Sequence, residues 1–466
     1  MTPAPPVGFG RLVLDTLDRT PDLTALRQGD LTLTYAQAYE HVISVAARLS
    51  ELGLRPGETL LQIRGNDWWQ WVLAAACAVA GVRSCSIPPS LPAGELSRRV
   101  TEVAPSLVVT DGPWVVPGAR VVSLADVLQP TTALAPYEAD AHRIVRLALT
   151  SGTGGTPKGV DLSGAAMAAV AEACADAIPW PARPTVVCAE AVSGGFGNMV
   201  LPTLMHGGTV VLPGPDDTLP GVLDAYPGAV LLAMPPTLRA LLADPEPPAA
   251  PPTLVVYSGD VLTHDEIDRV HRWAGPVLCG VYGQVEVPKT IAISLPEDHL
   301  LPHRAGALGR PFPGTDWRIV DLDGNDVLAG QPGELWVRSA TVMSGYAFPD
   351  TVRSPFAGDW LRTGDICHVV DGYAIHDGRI EDVLAHRPAV ICPGPLEQRL
   401  HTASVALLPG HADGAVVAVT TSAADTDSIR GPLAASGLTL ERLVEVDDIP
   451  RTWMGRIDRR HLRSLI

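Results

Sequence analysis

Basic side chains are scarce in this sequence. Lysine and arginine together number 34, against 51 aspartates and glutamates, which gives a formal net charge of -17 at pH 7. A surface field of this sign repels phosphate backbones and anionic membrane surfaces. Nucleic-acid binding is therefore not predicted.

Paired cysteines and long apolar runs are also missing. The seven cysteines are scattered without a CxxC pair, so neither a disulfide framework nor a zinc site is predicted. Residues 1–8 contain no basic region and no apolar run. The alanine-rich stretch 71–82 is shorter than the roughly 20 apolar residues of a spanning helix. We therefore expect an unexported protein of the cytoplasm.

The common signatures of hydrolases and metalloenzymes are absent as well. The sequence has no HExxH pair, no recognisable Ser-His-Asp set, no internal repeat and no coiled-coil heptad. Isolated histidines are more often surface or packed residues than catalytic ones. We assign no role to the following four: His142, His206, His264 and His303.

What the sequence does contain is a regular alternation of apolar segments. Apolar spacing predicts an amphipathic helix over 35–52, a strand over 59–63 and a second helix over 69–80. Strands that alternate with helices predict stacked α/β sheets, mostly parallel in their core. After Gly306, Asp-Gly turns separate short extended segments, which predicts an attached β subdomain. A length of 466 residues favours two domains.

Residues 150–159 form the sharpest local feature. They read Thr-Ser-Gly-Thr-Gly-Gly-Thr-Pro-Lys-Gly and follow an alternating segment, 144–149, that predicts a strand. A loop with so many glycines and hydroxyls can direct backbone N–H groups, hydroxyls and the Lys158 ammonium onto a polyphosphate. It is not a Walker A loop, because Pro157 stands before the lysine and the four-residue spacer does not fit.

Further motifs surround this loop in a fixed order. They are Leu-Thr-Tyr-Ala at 33–36, Leu-Gly-Leu-Arg-Pro-Gly at 52–57, Pro-Pro-Thr-Leu at 235–238, Tyr-Ser-Gly-Asp at 257–260, Tyr-Gly-Gln-Val-Glu at 282–286, Gly-Glu-Leu-Trp-Val-Arg at 333–338, Gly-Tyr at 345–346, Trp-Leu-Arg-Thr-Gly-Asp at 360–365, Gly-Arg at 378–379 and Pro-Arg-Thr at 450–452. Together with the loop, they resemble the signature of the adenylate-forming superfamily of acyl-CoA synthetases, peptide-synthetase adenylation domains and luciferases. The resemblance covers nearly the whole chain.

The resemblance implies an architecture and a reaction. An N-terminal adenylate-forming domain over 1–378 would consist of stacked α/β sheets with a β subdomain, and a small mobile α+β lid domain would cover 379–466. The expected activity is an ATP- and Mg²⁺-dependent ligation. In it a small acid, aryl or short-chain, becomes a mixed anhydride with AMP and pyrophosphate is released.

The resemblance also assigns residues to the triphosphate. Thr150, Ser151, Gly152, Thr153, Gly154 and Lys158 would hold the ATP phosphates. Glu286 would coordinate the Mg²⁺ ion, which prefers hard oxygen ligands shared with phosphates. Lys158, Glu286 and Arg456 are the expected catalytic residues.

A second group of residues would contact the nucleoside and the acid. Asp365 and Arg379 would bind the ribose hydroxyls, for which an ionised carboxylate is a suitable acceptor. Gly259, Asp260 and Tyr282 would border the adenine. Ser193, Phe196 and Gly283 would line the pocket for the acid.

Several positions depart from the family pattern. Val285 stands where the family usually has a threonine, and Arg456 replaces the adenylation lysine, which exchanges a compact ammonium for a planar fork. Segment 385–388 reads Ala-His-Arg-Pro where thioester-forming members have paired glycines. Ser193 stands about where many CoA ligases have a histidine or aromatic gate, and no Phe-Asp pair for an α-amino group is present nearby. Transfer to CoA is therefore doubtful.

Three functional hypotheses remain open on the sequence. The first is activation of a carboxylic acid, followed by transfer to CoA, a carrier-protein thiol or an amine. The second is a diazotase, which would adenylate nitrite and pass the nitroso unit to an aromatic amine. The third is a non-catalytic nucleotide-binding pseudoenzyme, against which the retained Lys158, Glu286, Asp365 and Arg379 argue.

The arginine at the position of the adenylation lysine gives a direct prediction. If Arg456 stabilises charge in the transition state, Arg456→Lys will change turnover more than ATP affinity. Steady-state kinetics of pyrophosphate release, beside a calorimetric titration with ATP, separate these two quantities. Kinetics identical to those of the wild type would show that this residue is only structural.

Overall fold

The computed structural model describes residues 6–114, 116, 118–149, 158–244, 248–304, 306–348, 354–385, 390–400, 405–421, 426–452 and 457–466. Strands and helices alternate through the first part of the chain, and strands predominate in the part that follows. No helix within these ranges combines the length and the apolarity that crossing a membrane requires.

The strands are, in chain order, β1 (Thr24–Gln28), β2 (Leu31–Thr34), β3 (Thr59–Ile63), β4 (Arg83–Ile87), β5 (Leu107–Thr110), β6 (Arg120–Val122), β7 (Ile144–Leu149), β8 (Gly159–Ser163), β9 (Thr185–Cys188), β10 (Thr209–Leu212), β11 (Val230–Ala233), β12 (Leu254–Tyr257), β13 (Leu278–Gln284), β14 (Val287–Ser294), β15 (Arg310–Pro311), β16 (Thr315–Val320), β17 (Gly333–Ser339), β18 (Gly345–Tyr346), β19 (Phe356–Ala357), β20 (Trp360–Val370), β21 (Tyr373–Arg379), β22 (Val405–Pro409), β23 (Ala415–Thr420) and β24 (Thr439–Glu445).

The helices are α1 (Phe9–Asp18), α2 (Tyr35–Glu51), α3 (Trp68–Val79), α4 (Ala93–Val103), α5 (Leu124–Val127), α6 (Gly164–Ala177), α7 (Val200–Met205), α8 (Leu219–Ala225), α9 (Pro235–Ala243), α10 (His264–Ala274), α11 (Pro393–Arg399), α12 (Thr426–Ala435) and α13 (Arg459–Leu465). Short 3-10 turns occupy Gly195–Met199, Asp298–Leu300 and Ile380–Asp382.

The first large sheet contains nine strands of the described chain. Their spatial order is β15-β14-β13-β12-β11-β9-β10-β1-β2. The six neighbouring strands β13, β12, β11, β9, β10 and β1 pair in parallel. The antiparallel pairs with β2, β14 and β15 lie at the two edges. The carboxyl ends of the parallel strands meet along one edge, where open α/β sheets bind their ligands.

The second large sheet has seven strands within the described ranges. Its order is β18-β8-β7-β4-β3-β5-β6. The five neighbouring strands β6, β5, β3, β4 and β7 pair in parallel. Strand β8 runs antiparallel to β7 and also pairs with β18. Strand β7 ends at Leu149, directly before the phosphate-loop motif. This sheet therefore carries that motif.

The hydrophobic core between these sheets accounts for their stacking. One cluster of buried side chains joins Leu26 and Val210 of the first sheet to Leu60 and Leu107 of the second. Helix α3 lies in the same cluster and buries nearly its whole surface. A helix that is apolar on all sides belongs in the interior, so α3 is the filling between two sheets rather than a surface helix.

The remaining strands form two smaller sheets. Strands β16, β17, β20 and β19 pair in that order and β21 joins β20, all antiparallel, which confirms the β subdomain. Beyond it, β22, β23 and β24 form a separate sheet whose two faces pack in their own hydrophobic clusters. The predicted α/β architecture is therefore confirmed, and the boundary between 378 and 379 stays a prediction.

Capping explains where two predicted helices begin. Helix α2 starts at Tyr35 because the Thr34 hydroxyl accepts from the Gln37 N–H while the Gln37 side chain accepts from the Thr34 N–H at 2.8 Å. Helix α3 starts at Trp68, one residue before the predicted start, because the Asp67 carboxylate accepts from Gln70 N–H. Strand β3 has the predicted bounds.

The tyrosine of the first motif gives a stability prediction. Tyr35 is fully buried, and its hydroxyl donates to the Leu204 carbonyl at 3.0 Å and the Gly208 carbonyl at 2.7 Å. Tyr35→Phe should lower the free energy of unfolding by about 1–2 kcal/mol, because buried carbonyls lose their donor. A urea titration followed by tryptophan fluorescence measures the change.

Tyr39→Phe is the matched control on the same helix. The Tyr39 side chain is half-buried, and its hydroxyl makes no hydrogen bond within the described part of the chain. A surface-type change of this kind should alter the free energy of unfolding by less than about 0.5 kcal/mol. Equal effects of the two variants would contradict the role given to Tyr35.

Candidate active site

The β13–β14 hairpin is the backbone of the candidate site. Gln284 pairs directly with Val287, so Val285 and Glu286 form a two-residue turn at its tip. The register shifts between Tyr282 and Gln284, which marks a bulge in the ladder. Bulges re-aim side chains beside binding sites. The hairpin therefore carries several of the expected site residues on a short stretch of chain.

Asp365 on β20 receives donors from both sides of this site. Its carboxylate accepts from the Tyr282 hydroxyl and from the Gln284 amide, the latter at 2.6 Å. Arg379, opposite Asp365 on β21, donates to it at 2.6 Å. His376 contacts the same carboxylate at 3.3 Å. Three of the expected nucleoside residues, Asp365, Tyr282 and Arg379, therefore lie in one hydrogen-bonded cluster.

The electrostatics of this cluster keep Asp365 ionised. Burial would raise the pKa of Asp365, but the charges and hydrogen bonds of Arg379 and His376 outweigh it and hold that pKa well below its usual range. Burial and the neighbouring Asp365 raise the pKa of Tyr282, so the phenol remains a donor. The cluster thus keeps Asp365 as a buried, ionised acceptor, and because four donors already occupy its two oxygens, the hydroxyls of a vicinal diol would have to replace some of them.

Lys158 and Glu286 meet at a second tyrosine. The Tyr346 hydroxyl donates to Glu286 at 2.9 Å, and the Lys158 ammonium lies 5.1 Å from the centre of the Tyr346 ring. The Met343 N–H donates to the Glu286 carbonyl at 2.8 Å, which ties the hairpin tip to the segment leading into β18. The expected phosphate lysine and the expected metal carboxylate are therefore neighbours.

A cavity of about 440 Å³ lies beside the β13–β14 hairpin, which contributes Gln284 and Val285 to its lining. Gln284 lines it and also donates to Asp365, so the cavity adjoins the Asp365 cluster. Its other lining residues include Trp71, Leu147 and Met167. A volume of this size, apolar walls and a few polar groups are typical of sites for small molecules.

The other predicted contacts have distinct places. Ser193, Gly259 and Gly283 line this cavity, and Val285 lines it at the hairpin tip. Asp260 follows Gly259, and its carboxylate accepts from the Val261 N–H at 2.9 Å.

Phe196, expected in the acid pocket, does not line this cavity, and its contact with the substrate stays a prediction. Its ring is buried in the hydrophobic core and is not part of the cavity lining. The Lys289 ammonium lies 4.1 Å from the centre of that ring. Phe196 belongs to the turn Gly195–Met199, which points this aromatic side chain inward.

Some predicted residues lie outside the described part of the chain. They are Thr150, Ser151, Gly152, Thr153, Gly154 and Arg456, together with residues 386–388 of the altered segment 385–388. Their roles stay predictions. Lys158 is described, and it continues directly from that loop into β8.

Sequence reasoning missed four residues at the site. Gln284 and Tyr346 stand inside quoted motifs, but only coordinates reveal that they bind Asp365 and Glu286. His376 pairs with Cys367 on β20, beside a register shift in the strand pair, and its ring contacts Asp365 at 3.3 Å. Lys289 had one available signal: lysine occurs only twice in the chain, at 158 and 289.

The described residues fit ATP and Mg²⁺ on chemical grounds. One oxygen of Glu286 accepts from Tyr346, and the other makes no hydrogen bond within the described ranges, so it can face a cation. Among the described residues, no group of three or more His, Cys, Asp or Glu side chains is arranged so that it could hold a metal ion. Mg²⁺ typically takes one or two carboxylates plus phosphate and water oxygens, which matches a single carboxylate beside Lys158.

The chain belongs to the AMP-binding enzyme family, whose model matches residues 14–347. This family and the similar proteins comprise adenylate-forming ligases, among them acyl-CoA, aryl-acid and amide-bond synthetases. Enzymes of this kind use ATP, and solved relatives carry ATP or AMP in their crystals. The comparisons thus support an AMP-forming ligase.

Individual relatives differ in their activities. The chain is 27% identical to the indoleacetate–CoA ligase of Aromatoleum aromaticum, over 96% of each protein. It is 26% identical to the phenyloxazoline synthase MbtB of Mycobacterium sp. (strain MCS), over 96% of this chain but 41% of that protein. The chain therefore spans less than half of this longer relative.

Solved structures share the fold. The amide bond synthetase McbA from Marinactinospora thermotolerans has a TM-score of 0.79 and 25% identity, with 98% of this chain and 99% of that chain covered. ATP-bound MatB from Rhodopseudomonas palustris reaches a TM-score of 0.81 at 21% identity, over 98% of this chain and 99% of that one. At that identity the second match shows the fold alone.

The Asp365 cluster gives a prediction for stability. Asp365→Asn keeps the shape but leaves the Arg379 charge without its buried partner, so the free energy of unfolding should fall by about 3 kcal/mol. The exposed pair between Asp316 and Arg338, at 2.9 Å, is the matched control, and Asp316→Asn should cost under about 1 kcal/mol. Urea titrations of both variants measure the two losses.

The same variant has a defined pH dependence. Because the folded-state pKa of Asp365 is depressed, its stabilising contribution is fully present above the ordinary aspartate pKa and is lost as the pH falls through the folded-state pKa. The gap between wild type and Asp365→Asn should therefore be constant at neutral pH and shrink in acid. A gap that grows on acidification would contradict the assignment of an ionised carboxylate.

Proposed function

We propose that this protein is an ATP-dependent adenylate-forming ligase that activates a small acid as its AMP anhydride and releases pyrophosphate. The observation that carries the proposal is the convergence on one hairpin. Strand β13 contributes Tyr282 and Gln284 to the Asp365 cluster, and the hairpin tip contributes Glu286 to the contact with Tyr346 and Lys158. Residues only a few positions apart on this hairpin thereby contact both the expected ribose acceptor and the expected phosphate-binding group.

The proposed reaction is a substitution at phosphorus. An oxygen of the acid attacks the α-phosphorus of ATP, the bond from that phosphorus to the bridging oxygen breaks, and pyrophosphate leaves with the electron pair. Bound Mg²⁺ would supply charge neutralisation on the phosphates. The reacting acid is already an anion, so no general base is needed, and catalysis consists of positioning and electrostatic stabilisation.

Each described group has a part in that scheme. Asp365 would accept from the ribose hydroxyls and so fix the nucleoside end. Lys158 would place positive charge on the phosphates, and Glu286 would hold the metal ion through the oxygen that Tyr346 leaves open. The cavity beside Gln284 would take the acid with its reacting oxygen toward this end. Arg456 would add charge from the C-terminal part of the chain.

Nitrite activation is the second candidate. The sequence feature that favours it is Arg387-Pro388 in place of the paired glycines of thioester-forming relatives. Nitrite also offers an anionic oxygen to the α-phosphorus, and an aromatic amine is neutral at pH 7. Neither step needs a thiol-directed loop. For the acid route, the acceptor would be a carrier-protein thiol or an amine rather than CoA.

A pyrophosphate-release assay separates these proposals. We expect release with ATP, Mg²⁺ and small aryl or short-chain acids, and no further stimulation by CoA. Three panels are compared: acids alone, acids with CoA, and nitrite with aminoaryl acids. Release that occurs only with nitrite and amine together would replace the leading proposal by the second.

A binding control distinguishes an inactive panel from an inactive site. Calorimetry with ATP and Mg²⁺ should detect binding even when no tested acid is a substrate. Binding without release under any condition would favour the pseudoenzyme hypothesis. Strong stimulation by CoA would show that the altered segment at 385–388 still permits thioester formation.

A further inference from the structure

The cavity contains a lysine that the proposed reaction does not use. Lysine occurs twice in the whole chain, and every other basic residue apart from histidine is an arginine. Lys158 contacts Tyr346 at the phosphate end of the site, whereas Lys289 lines the cavity. Lysine differs from arginine in carrying a compact charge on a flexible stem. Its two occurrences therefore coincide with two parts of one site.

The backbone around Lys289 is shaped for this residue. Lys289 has a φ of 66°, a left-handed conformation that non-glycine residues rarely adopt and that concentrates at functional sites. A Cβ on Gly283 would lie 2.2 Å from the Lys289 backbone nitrogen, so only glycine permits this approach. A Cβ on Gly195 would lie 3.3 Å from the Lys289 ammonium. Gly283 thus permits the close approach of the two strands at position 289, and Gly195 leaves space beside the Lys289 ammonium.

The charge of Lys289 has no close carboxylate partner in the described chain. The nearby Glu190 accepts instead from the Met234 N–H at 2.8 Å and the Thr237 hydroxyl at 2.7 Å. Burial lowers the pKa of Lys289 to about 8, while Cys174, Glu190 and Cys188 act in the opposite direction. The ammonium form therefore predominates at pH 7, over the face of the Phe196 ring.

A second cation lines the same cavity. The Arg146 guanidinium donates to Asn198 Oδ1 at 2.8 Å, to the Ser193 carbonyl at 2.9 Å and to the Gly194 carbonyl at 3.4 Å. These acceptors are neutral and leave its charge uncompensated. Among the described residues, no aspartate or glutamate lines the cavity. A partly desolvated cavity with two cations and no anion is chemically complementary to an anionic ligand.

We propose that the cavity selects a substrate with a second anionic group, which Lys289 and Arg146 hold while the reacting oxygen faces the nucleotide. The inference rests on the proposed function and narrows its substrate class. Gln284, bound to Asp365, marks the nucleotide end of the cavity. Arg146 lies on β7 of the other large sheet and makes no hydrogen bond to the Asp365 cluster within the described chain.

The cavity also limits the body of the substrate. A volume of about 440 Å³ with walls such as Trp71, Leu147 and Met167 suits a small aromatic or short aliphatic frame. In the acid route the held group is the second carboxylate of a diacid. In the nitrite route it is the carboxylate of an aminoaryl acid. The shared chemistry is an anionic group that the reaction does not consume.

Substrate pairs that differ only in this group test the inference. With the wild type, kcat/KM for pyrophosphate release should be about ten- to a hundredfold higher for benzene-1,3-dicarboxylate than for benzoate, the range expected for charged hydrogen bonds. Lys289→Met should abolish this ratio, and Lys289→Arg should retain part of it. A parallel arm with nitrite compares 3-aminobenzoate with aniline and identifies the nitrite route.

A second variant pair keeps both cations. Ser193 lines the cavity next to them, so Ser193→Asp introduces a competing carboxylate, and Ser193→Asn is the uncharged control of equal size. Ser193→Asp should lower the preference for the dianionic acid at least tenfold relative to Ser193→Asn. If Lys289 and Arg146 hold the reacting carboxylate itself, the variants will lower kcat/KM for benzoate and for the diacid equally. That result overturns the proposal.

Chemical labelling gives a readout that does not depend on turnover. Reductive methylation followed by peptide mass spectrometry can report on each of the two lysines separately. Benzene-1,3-dicarboxylate should slow methylation of Lys289 and leave Lys158 unchanged, whereas benzoate should protect Lys289 at least tenfold less. Equal methylation of Lys289 with and without the dianion overturns the inference. Protection of Lys289 without pyrophosphate release in any arm would refute the proposed ligation and retain the anion site.

Discussion

The hydrogen bonds from β13 to Asp365 are the constraint on which the site depends. They connect the first large sheet to the β subdomain, because Tyr282 and Gln284 belong to β13 and Asp365 belongs to β20. Arg379 closes the same cluster from β21. A buried carboxylate is costly when it is left without hydrogen-bond donors, and these residues supply them. The same hydrogen bonds therefore determine both the position of the β subdomain and the geometry of the site.

Charge is distributed unequally around this constraint. The protein is strongly acidic as a whole, yet the cavity carries Arg146 and Lys289 and no acidic lining residue in the described chain. Glu286 and Asp365 both lie on the side proposed for the nucleotide, and each accepts a hydrogen bond from a tyrosine hydroxyl. Inside a low-dielectric cleft, the electrostatic interaction between charges is stronger than it would be in water. An anionic acid would be drawn past the acidic surface only by local cations of this kind.

Much of this could be predicted from the sequence, and the exceptions have physical causes. The strand 59–63 and the helices near 35–52 and 69–80 follow from apolar spacing, which is local information. The roles of Asp365, Tyr282 and Arg379 as neighbours came only through motif resemblance, since 83 residues separate Tyr282 from Asp365. His376 and Gln284 were missed because a cross-strand contact depends on register. Phe196 was assigned to the substrate although its side chain turns into the core.

The most direct test of the account is the affinity for nucleotides across two variants, measured by calorimetry with adenosine and with ATP, with and without Mg²⁺. The account predicts that Asp365→Asn lowers the affinity for adenosine and for ATP alike. Glu286→Gln should lower only the Mg²⁺-dependent part of the affinity for ATP. An Asp365→Asn variant that binds ATP as tightly as the wild type would contradict the claim that the hairpin brings a ribose acceptor and a phosphate-binding pair to one nucleotide.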